Sequence, residues 1–236
     1  RCRDLAEIRE RDHSLKIGAG VTMAQLLPVL ETHHPSYAAM VRRYGSEQVR
    51  QAATIGGNIA NGSPSGDNPP ALIALRALLD LRKGKERRAL PIEDFFIDYG
   101  KQDRRPGEFV EAITIPKEAP ALRVYKLSKR FDQDLSAVCG AFNVVVADGV
   151  VTSARIAFGG MAGIPKRASA VEVAHAGKPW TKEVVQAVLP LFSDDFTPLS
   201  DMRASAEYRL KTAQNMLVRY FHDLAGEDVS VLEVAP

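Results

Sequence analysis

Apolar and polar residues alternate along residues 15–21 (LKIGAGV) and again along residues 108–116 (EFVEAITIP). A period of two is typical of a half-buried strand, so both segments are predicted to be strands. Between them, MAQLLPVLETH carries apolar residues at helical spacing and follows Thr22, with Gln25 placed as its capping-box partner. This pattern predicts a capped helix, and AAMVRRYG predicts a second, shorter one.

The middle of the first half is less regular. Residues 46–70 are rich in Gly, Asn, Ser and Pro, which argues against regular structure throughout. Asp67 then precedes two prolines and an apolar run, an arrangement that favours a helix with an aspartate N-cap. The later stretch ALLDLRKGKERRAL fits either a longer helix or a hairpin, and we favour a helix to about Leu75 followed by the hairpin.

The pattern changes after PKEAP at residues 116–120, a charged segment flanked by prolines that is the best candidate for a boundary. Beyond it, three strands are predicted, two of them joined at Asp148-Gly149, a strong hairpin signal. Three helices are predicted to follow. The predicted strands cover residues 122–130, 137–147 and 150–159, and the predicted helices cover residues 166–176, 181–192 and 204–224. Strands followed by helices indicate an α+β arrangement.

Composition excludes several classes of protein. The 236 residues include 31 Lys and Arg against 29 Asp and Glu, and this balance gives no reason to expect nucleic-acid binding. No apolar run approaches the length of a membrane span. The two cysteines, Cys2 and Cys139, are too few for a [2Fe–2S] cluster and fit a reducing cytoplasm, and no metal site is evident.

The most informative stretch is QVRQAATIGGNIANGSPSGDNPP, residues 48–70. We expect Gly56 and Gly57 to allow close backbone approach, at least one of them with positive φ. Successive backbone N–H groups in such a turn can form an anion-binding nest. Thr54 and Asn58 supply short polar side chains, while Asp67 would accept from a hydroxyl or ring N–H. Composition alone leaves a plain surface loop equally open. Neither the Walker nor the Rossmann glycine pattern is present.

The same stretch resembles the second FAD-binding signature of the molybdenum hydroxylase flavin subunits. FFIDYGKQDRRPGEFVEAITIP, YKLSKRFDQDLSAVCGAFNV, ARIAFGGMAGIPKRA and FTPLSDMRASAEYRL are similar to the small subunits of bacterial xanthine dehydrogenases, which belong to this family. The resemblance extends over nearly the whole chain. It implies that residues 1–117 form the later part of a vanillyl-alcohol-oxidase-type (PCMH-type) FAD-binding domain. Residues 120–228 would form a carbon monoxide dehydrogenase flavoprotein C-terminal domain, with a three-stranded antiparallel sheet and helices.

The resemblance also implies roles for individual residues. Tyr44 matches the aromatic position beside the isoalloxazine, and Lys126 matches a flavin contact from the second domain, so we expect its side chain to point toward residues 54–58. Residues 130–135 resemble a loop whose charge is linked to dehydrogenase or oxidase behaviour. The full set of expected FAD-binding residues is Tyr44, Thr54, Ile55, Gly56, Gly57, Asn58, Asp67, Val110 and Lys126.

The function implied by the resemblance is electron transfer in a xanthine dehydrogenase, from purine hydroxylation through [2Fe–2S] clusters and FAD to NAD. The iron–sulfur segments, the first FAD motif and the molybdopterin-binding large subunit are expected outside these residues, in a hetero-oligomer. The chain by itself is expected to hold FAD weakly and not to oxidise xanthine. Two alternatives stay open: another molybdenum hydroxylase acting on an aldehyde or N-heterocycle, and a non-catalytic fragment that docks subunits.

Overall fold

A computed structural model describes residues 2–230 of the chain. The first part begins with the 3₁₀ turn Arg3–Leu5 and combines short helices with antiparallel strands. Its helices are α1 (Met23–His33), α2 (Pro35–Arg42), α3 (Glu47–Ala52), α4 (Ile55–Asn61), α5 (Asn68–Ala74) and α6 (Ile92–Phe95). Its strands are β1 (Ile8–Glu10), β2 (Ser14–Gly18), β3 (Leu78–Lys83), β4 (Glu86–Pro91), β5 (Phe96–Asp98), β6 (Lys101–Gln102) and β7 (Phe109–Pro116).

The main sheet of this part has the order β1-β2-β7-β3-β4, so the last strand of the part lies at its centre. Ile113 on β7 pairs with Ile17 on one side and with Leu79 on the other. All three side chains are buried, as expected where apolar residues of neighbouring strands share one face. The two strands whose alternation is visible in the sequence, β2 and β7, therefore lie side by side in the sheet.

The second part contains β8 (Arg123–Leu127), β9 (Val138–Ala147), β10 (Val150–Gly159) and β11 (Lys166–Arg167), in the sheet order β11-β10-β9-β8. Asp148 and Gly149 join β9 and β10 with φ values of 50° and 76°, which confirms the predicted hairpin. The remaining elements share one hydrophobic core with this sheet. They are α7 (Ser169–His175), α8 (Lys182–Val188), the 3₁₀ turn Leu189–Leu191, α9 (Phe192–Asp195) and α10 (Ala206–Leu224).

The second sheet is buried on both faces. Phe142 and Phe158 pack edge-to-face beneath α10, where Tyr220 stacks on Phe142 with ring centroids 5.1 Å apart. The opposite face, which includes Cys139 and Ala157, joins the core of the first part, with α5 packed on β9 and β10. Burial of alternate residues in two different cores explains why β9 and β10 are apolar along most of their length.

Several predicted elements are confirmed. Thr22 caps α1 in a full capping box with Gln25. Helix α5 is followed by the β3–β4 hairpin, as favoured over a longer helix, and the arrangement is α+β.

Other details differ from the prediction. The second sheet has a fourth strand in the described residues, because residues 166–167 pair with β10 before α7 begins. The helix predicted for residues 181–192 is interrupted, since Pro190 lies in the 3₁₀ turn and cannot donate a backbone hydrogen bond. Asp67 occupies the N-cap position of α5, but its side chain does not cap the helix. It is directed instead to the second part, as described below.

Within residues 2–230, no helix combines the length and apolar character needed to cross a membrane. The side chains in the same range also include no cluster of three or more His, Cys, Asp or Glu placed to hold a metal ion.

Candidate functional site

The candidate site begins at the first turn of α4. Thr54 is the N-cap, and its Oγ1 accepts a hydrogen bond of 3.1 Å from the backbone N–H of Gly57. The preceding amides are also engaged, because Ile55 N donates to Val21 O and Gly56 N donates to Ala19 O, both at 3.0 Å. These N–H groups are already satisfied within the protein, so they do not form the anion-binding nest that the glycine pair could have provided.

The two adjacent glycines have different roles, and neither has positive φ, so that prediction is wrong. Both adopt helical conformations, and the left-handed residue is Gly62, the C-cap of α4, with φ of 63°. A Cβ on Gly56 would lie 2.4 Å from the Cβ of Ala19, so this glycine permits close packing of α4 on the first sheet. A Cβ on Gly57 would meet Thr54 Oγ1 at 3.0 Å, with no other neighbour among the described residues within 4 Å.

Gly57 opens onto a cavity of about 940 Å³. Four of the residues expected to bind FAD line it: Thr54, Gly56, Gly57 and Val110. Small residues such as Gly20 and Ala60 line much of the remainder, with the side chains of Gln25 and Gln51 at the polar edge. A wall of small residues lets an extended ligand approach the backbone closely. Ile55, also expected in the site, is fully buried and takes no part in the lining.

A chain of polar side chains continues behind α4. Asn58 donates to the Tyr44 hydroxyl at 3.3 Å, and Asn68 donates to Asn58 Oδ1 at 3.0 Å. The Tyr37 hydroxyl donates to Asn68 Oδ1 at 2.7 Å. Burial raises the pKa of Tyr44, and it raises the pKa of Tyr37 further, so both phenols stay protonated at neutral pH. We call Tyr37, Tyr44, Asn58 and Asn68 the amide–phenol chain.

Asp67 lies next to this chain and is held from the second part of the molecule. Its Oδ2 accepts a hydrogen bond of 2.6 Å from Lys126 Nζ, and its Oδ1 accepts one of 2.5 Å from Ser136 Oγ. The side chains of Lys126 and Asp67 are 2% and 7% exposed, and Ser136 is fully buried. The expectation that Lys126 avoids solvent is confirmed, but its hydrogen-bond partner is Asp67 rather than a residue of the 54–58 segment. We call Asp67, Lys126 and Ser136 the carboxylate triad.

Cys139 lies against the same triad. Its Sγ donates to the backbone carbonyl of Asp67 at 3.6 Å. Burial and the negative charge of Asp67 both raise the pKa of the thiol, so Cys139 remains protonated. It acts as a small buried side chain rather than as a nucleophile.

Arg43, the neighbour of Tyr44, fixes the segment that follows Lys126. Its guanidinium donates to the Lys126 carbonyl and to the Phe131 carbonyl, each at 2.9 Å, and lies over the Phe131 ring. The loop of residues 130–135 is thus anchored beside Tyr44. Sequence reasoning did not single out Arg43, because one arginine in a helix-ending RRYG carries no local signal of its distant partners.

Comparison with known proteins identifies the class to which this architecture belongs. Residues 1–118 match the family model described as the FAD binding domain in molybdopterin dehydrogenase. Residues 123–224 match the CO dehydrogenase flavoprotein C-terminal domain. The chain therefore belongs to the family of flavin-binding chains of the molybdenum hydroxylases.

Individual relatives come from several enzymes. The chain is 30% identical over 222 residues to a xanthine dehydrogenase FAD-binding subunit of Escherichia coli O157:H7, covering 90% of this chain and 76% of that subunit. It is 29% identical over 233 residues to the nicotinate dehydrogenase FAD-subunit of Eubacterium barkeri, covering 95% and 79% of the two chains.

Among solved structures, a similar chain comes from the carbon monoxide dehydrogenase of Hydrogenophaga pseudoflava in a form that lacks the Mo-pyranopterin moiety. The TM-score is 0.85 and the identity 32%, with 92% of this chain and 77% of that chain covered. A likeness of this extent agrees with both domain assignments and with the α+β fold.

The residues present fit a flavin dinucleotide. The cavity has the size of a cofactor site, and the open face at Gly57 is one that a Cβ would fill. Its polar edge offers side-chain hydroxyl and amide groups rather than free backbone N–H groups. The chemistry therefore suits hydroxyl, amide and ring-nitrogen groups of a cofactor better than an isolated phosphate.

Proposed function

We propose that this chain holds FAD along the cavity lined by α4 and against the amide–phenol chain and the carboxylate triad, which lie behind α4. The cavity wall would be formed by Thr54, Gly56, Gly57 and Val110, and Ile55 would support it from the core. Tyr44 and Asn58 would face the ring system, and Asp67 with Lys126 would set the charge there. The observation that carries this proposal is the position of these groups around one helix, α4, which joins the cavity to the amide–phenol chain.

FAD, when bound, accepts two electrons and passes them on, and the redox chemistry belongs to the cofactor. The protein contributes orientation and electrostatics. Tyr44 and Tyr37 keep their protons, so the amide–phenol chain offers a fixed order of donors and acceptors. Both oxygens of the Asp67 carboxylate accept a hydrogen bond, one from Lys126 and one from Ser136, which fixes the negative charge in one place.

For the reaction, we propose xanthine dehydrogenase activity in a complex with iron–sulfur and molybdopterin-binding partners. A ring C–H of the purine becomes C–OH with oxygen from water. Iron–sulfur partners would carry the two electrons released to this chain, whose residues would hold the FAD that supplies a hydride to NAD⁺, and the remaining proton would be released to solvent. The identity to a xanthine dehydrogenase subunit supports this choice of substrate.

A second candidate is a different molybdenum hydroxylase with the same electron path. The identity to the nicotinate dehydrogenase subunit and to the carbon monoxide dehydrogenase chain is equally high, and the substrate would bind on another subunit. Identity of this level therefore supports the flavin role more strongly than any one substrate.

The test uses the purified holoenzyme without oxygen. Xanthine, nicotinate, an aldehyde and carbon monoxide are added separately, and bleaching of the flavin absorbance is followed, then its recovery with NAD⁺. We expect xanthine to bleach the flavin and NAD⁺ to restore it. Bleaching by another substrate alone would replace xanthine by that substrate. A holoenzyme whose flavin content is zero would leave this chain with a docking role only.

A further inference from the structure

Arg209 on α10 is a buried cation outside the set of expected flavin contacts. Its side chain is 4% exposed. Its Nη1 donates to the carbonyls of Ala137 and Gly160, the second at 3.0 Å, and its Nη2 donates to Asp201 Oδ1 at 2.6 Å. The planar fork of a guanidinium can hold acceptors in two directions at once, which the point charge of a lysine cannot.

Both carbonyls lead to Asp67 by short routes. Ala137 follows Ser136, whose hydroxyl donates to Asp67 Oδ1. Gly160, with φ of 81°, donates its own N–H to the Pro64 carbonyl at 2.7 Å, three residues before Asp67. Arg209 therefore holds the hydroxyl donor of Asp67 and the backbone that leads into Asp67.

This contact region is tightly packed. A Cβ on Gly160 would lie 2.2 Å from the Ala137 carbonyl oxygen, and a Cβ on Gly159 would lie 3.1 Å from the carbonyl oxygen of Gly66. Such distances leave the backbone beside Asp67 little room to shift while Arg209 keeps its hydrogen bonds to Ala137 and Gly160.

We infer that Ser136 and Arg209 are positioning residues for the flavin site, acting through the carboxylate of Asp67. This role depends on the proposed position of Asp67 beside the flavin, and Ser136 and Arg209 are the two groups that fix the orientation of its carboxylate. Ser136 donates to the carboxylate directly, and Arg209 fixes Ser136 and the 64–67 segment. Because the donated hydrogen bond withdraws negative charge from Asp67, its loss should make the flavin harder to reduce.

The experiment measures FAD affinity and the midpoint potential of the flavin in the holoenzyme. The variants are Ser136→Ala, Asp67→Asn and the double variant, a cycle that isolates coupling between the two side chains. We expect Ser136→Ala to weaken FAD binding about tenfold. We also expect it to lower the potential by about 30 mV, the equivalent of a tenfold change for a two-electron couple. In the Asp67→Asn background, Ser136→Ala should have no further effect.

Arg209→Lys should shift both quantities in the same direction as Ser136→Ala. Arg203→Lys is the matched control, since Arg203 also pairs with Asp201, at 3.7 Å, whereas the hydrogen bonds to the carbonyls of Ala137 and Gly160 come from Arg209. It should leave FAD affinity and potential unchanged.

The outcomes separate the two proposals. If Asp67→Asn leaves FAD affinity and potential unchanged, Asp67 does not act on the flavin and the proposed site is wrong at this residue. If Asp67→Asn shifts them while Ser136→Ala does not, or if the Ser136→Ala effect persists in the Asp67→Asn background, the positioning role is overturned and the flavin site stands.

Discussion

The cavity wall around α4 and the carboxylate triad lie close together but are built on opposite principles. The wall consists largely of small residues whose backbone amides are already bonded, so its main contribution is shape. The triad consists of charged and polar side chains that are almost completely buried and bonded to one another. Shape tolerates small adjustments, whereas a buried charge without its partner is strongly unfavourable.

The cavity wall and the carboxylate triad also differ in which parts of the chain contribute to them. The wall belongs to the first part, with α4 packed against the sheet that contains β7. The triad is shared, because Asp67 comes from the first part and Lys126 and Ser136 come from the second. We therefore expect substitutions in the triad to affect the junction of the two parts, and substitutions in the wall to act locally.

The largest effect is expected for Lys126→Met, which leaves the Asp67 carboxylate buried with one donor, Ser136. Removal of one partner of a buried ion pair typically costs about 3–5 kcal/mol, and we expect a loss in this range in the free energy of urea unfolding. Lys16→Met is the control, because Lys16 bonds Asp80 at 2.7 Å but is 30% exposed, and it should cost less than about 1 kcal/mol. Equal losses of unfolding free energy in Lys126→Met and Lys16→Met would contradict the claim that the buried triad depends on charge pairing.

A smaller effect is expected within the wall itself. Gly56→Ala places a Cβ against Ala19 and should destabilise the chain by about 2 kcal/mol through overpacking. Gly57→Ala has helical φ, and its Cβ meets only the Thr54 hydroxyl, which needs to shift by a few tenths of an ångström, so its unfolding free energy should change by less than about 1 kcal/mol. Its FAD affinity should nevertheless fall, because the new methyl group points into the cavity. Thermal unfolding and FAD titration of both variants measure this difference, and similar unfolding temperatures would show that the two glycines are equivalent.

A loss smaller than those of Lys126→Met and Gly56→Ala is expected in the amide–phenol chain, which is uncharged. Tyr37→Phe removes the donor to Asn68 Oδ1 and should cost about 1–2 kcal/mol, the lower part of the range for a buried acceptor left without its partner. Tyr208→Phe, at a tyrosine that is 54% exposed, should change stability by less than about 0.5 kcal/mol. A Tyr37→Phe loss as large as that of Lys126→Met would mean that charge is not what distinguishes the two groups.

Much of the fold is readable from local sequence. The Thr22 capping box, the Asp148-Gly149 turn and the alternation in β2 and β7 act over a few residues, and each is found where it was predicted. The second sheet was predicted one strand short, since residues 166–167 form a strand only by pairing with β10. A two-residue strand has no periodicity of its own to detect.

The sequence predicted the candidate site less well than it predicted the fold. Resemblance selected Asp67 and Lys126, but the local pattern presented Asp67 as a helix cap, and its actual partners lie 59 and 69 residues further along the chain. The glycine pair was expected to bind through free amides, and only the packing of α4 on Ala19 shows where those amides are used. Ser136 and Arg209 were missed because serines and arginines are common, and their contacts depend on tertiary structure.

The division of the carboxylate triad between the two parts restricts how this chain can change over evolution. A recombination event near residue 118 that joined the first part to the second part of a relative would need a lysine and a hydroxyl at the positions of Lys126 and Ser136. Otherwise the hybrid would inherit an unpaired buried carboxylate at its junction. The two parts are thus expected to be inherited together. Exchange of one part for a relative's counterpart would succeed only when the hybrid keeps the equivalents of Asp67, Lys126 and Ser136.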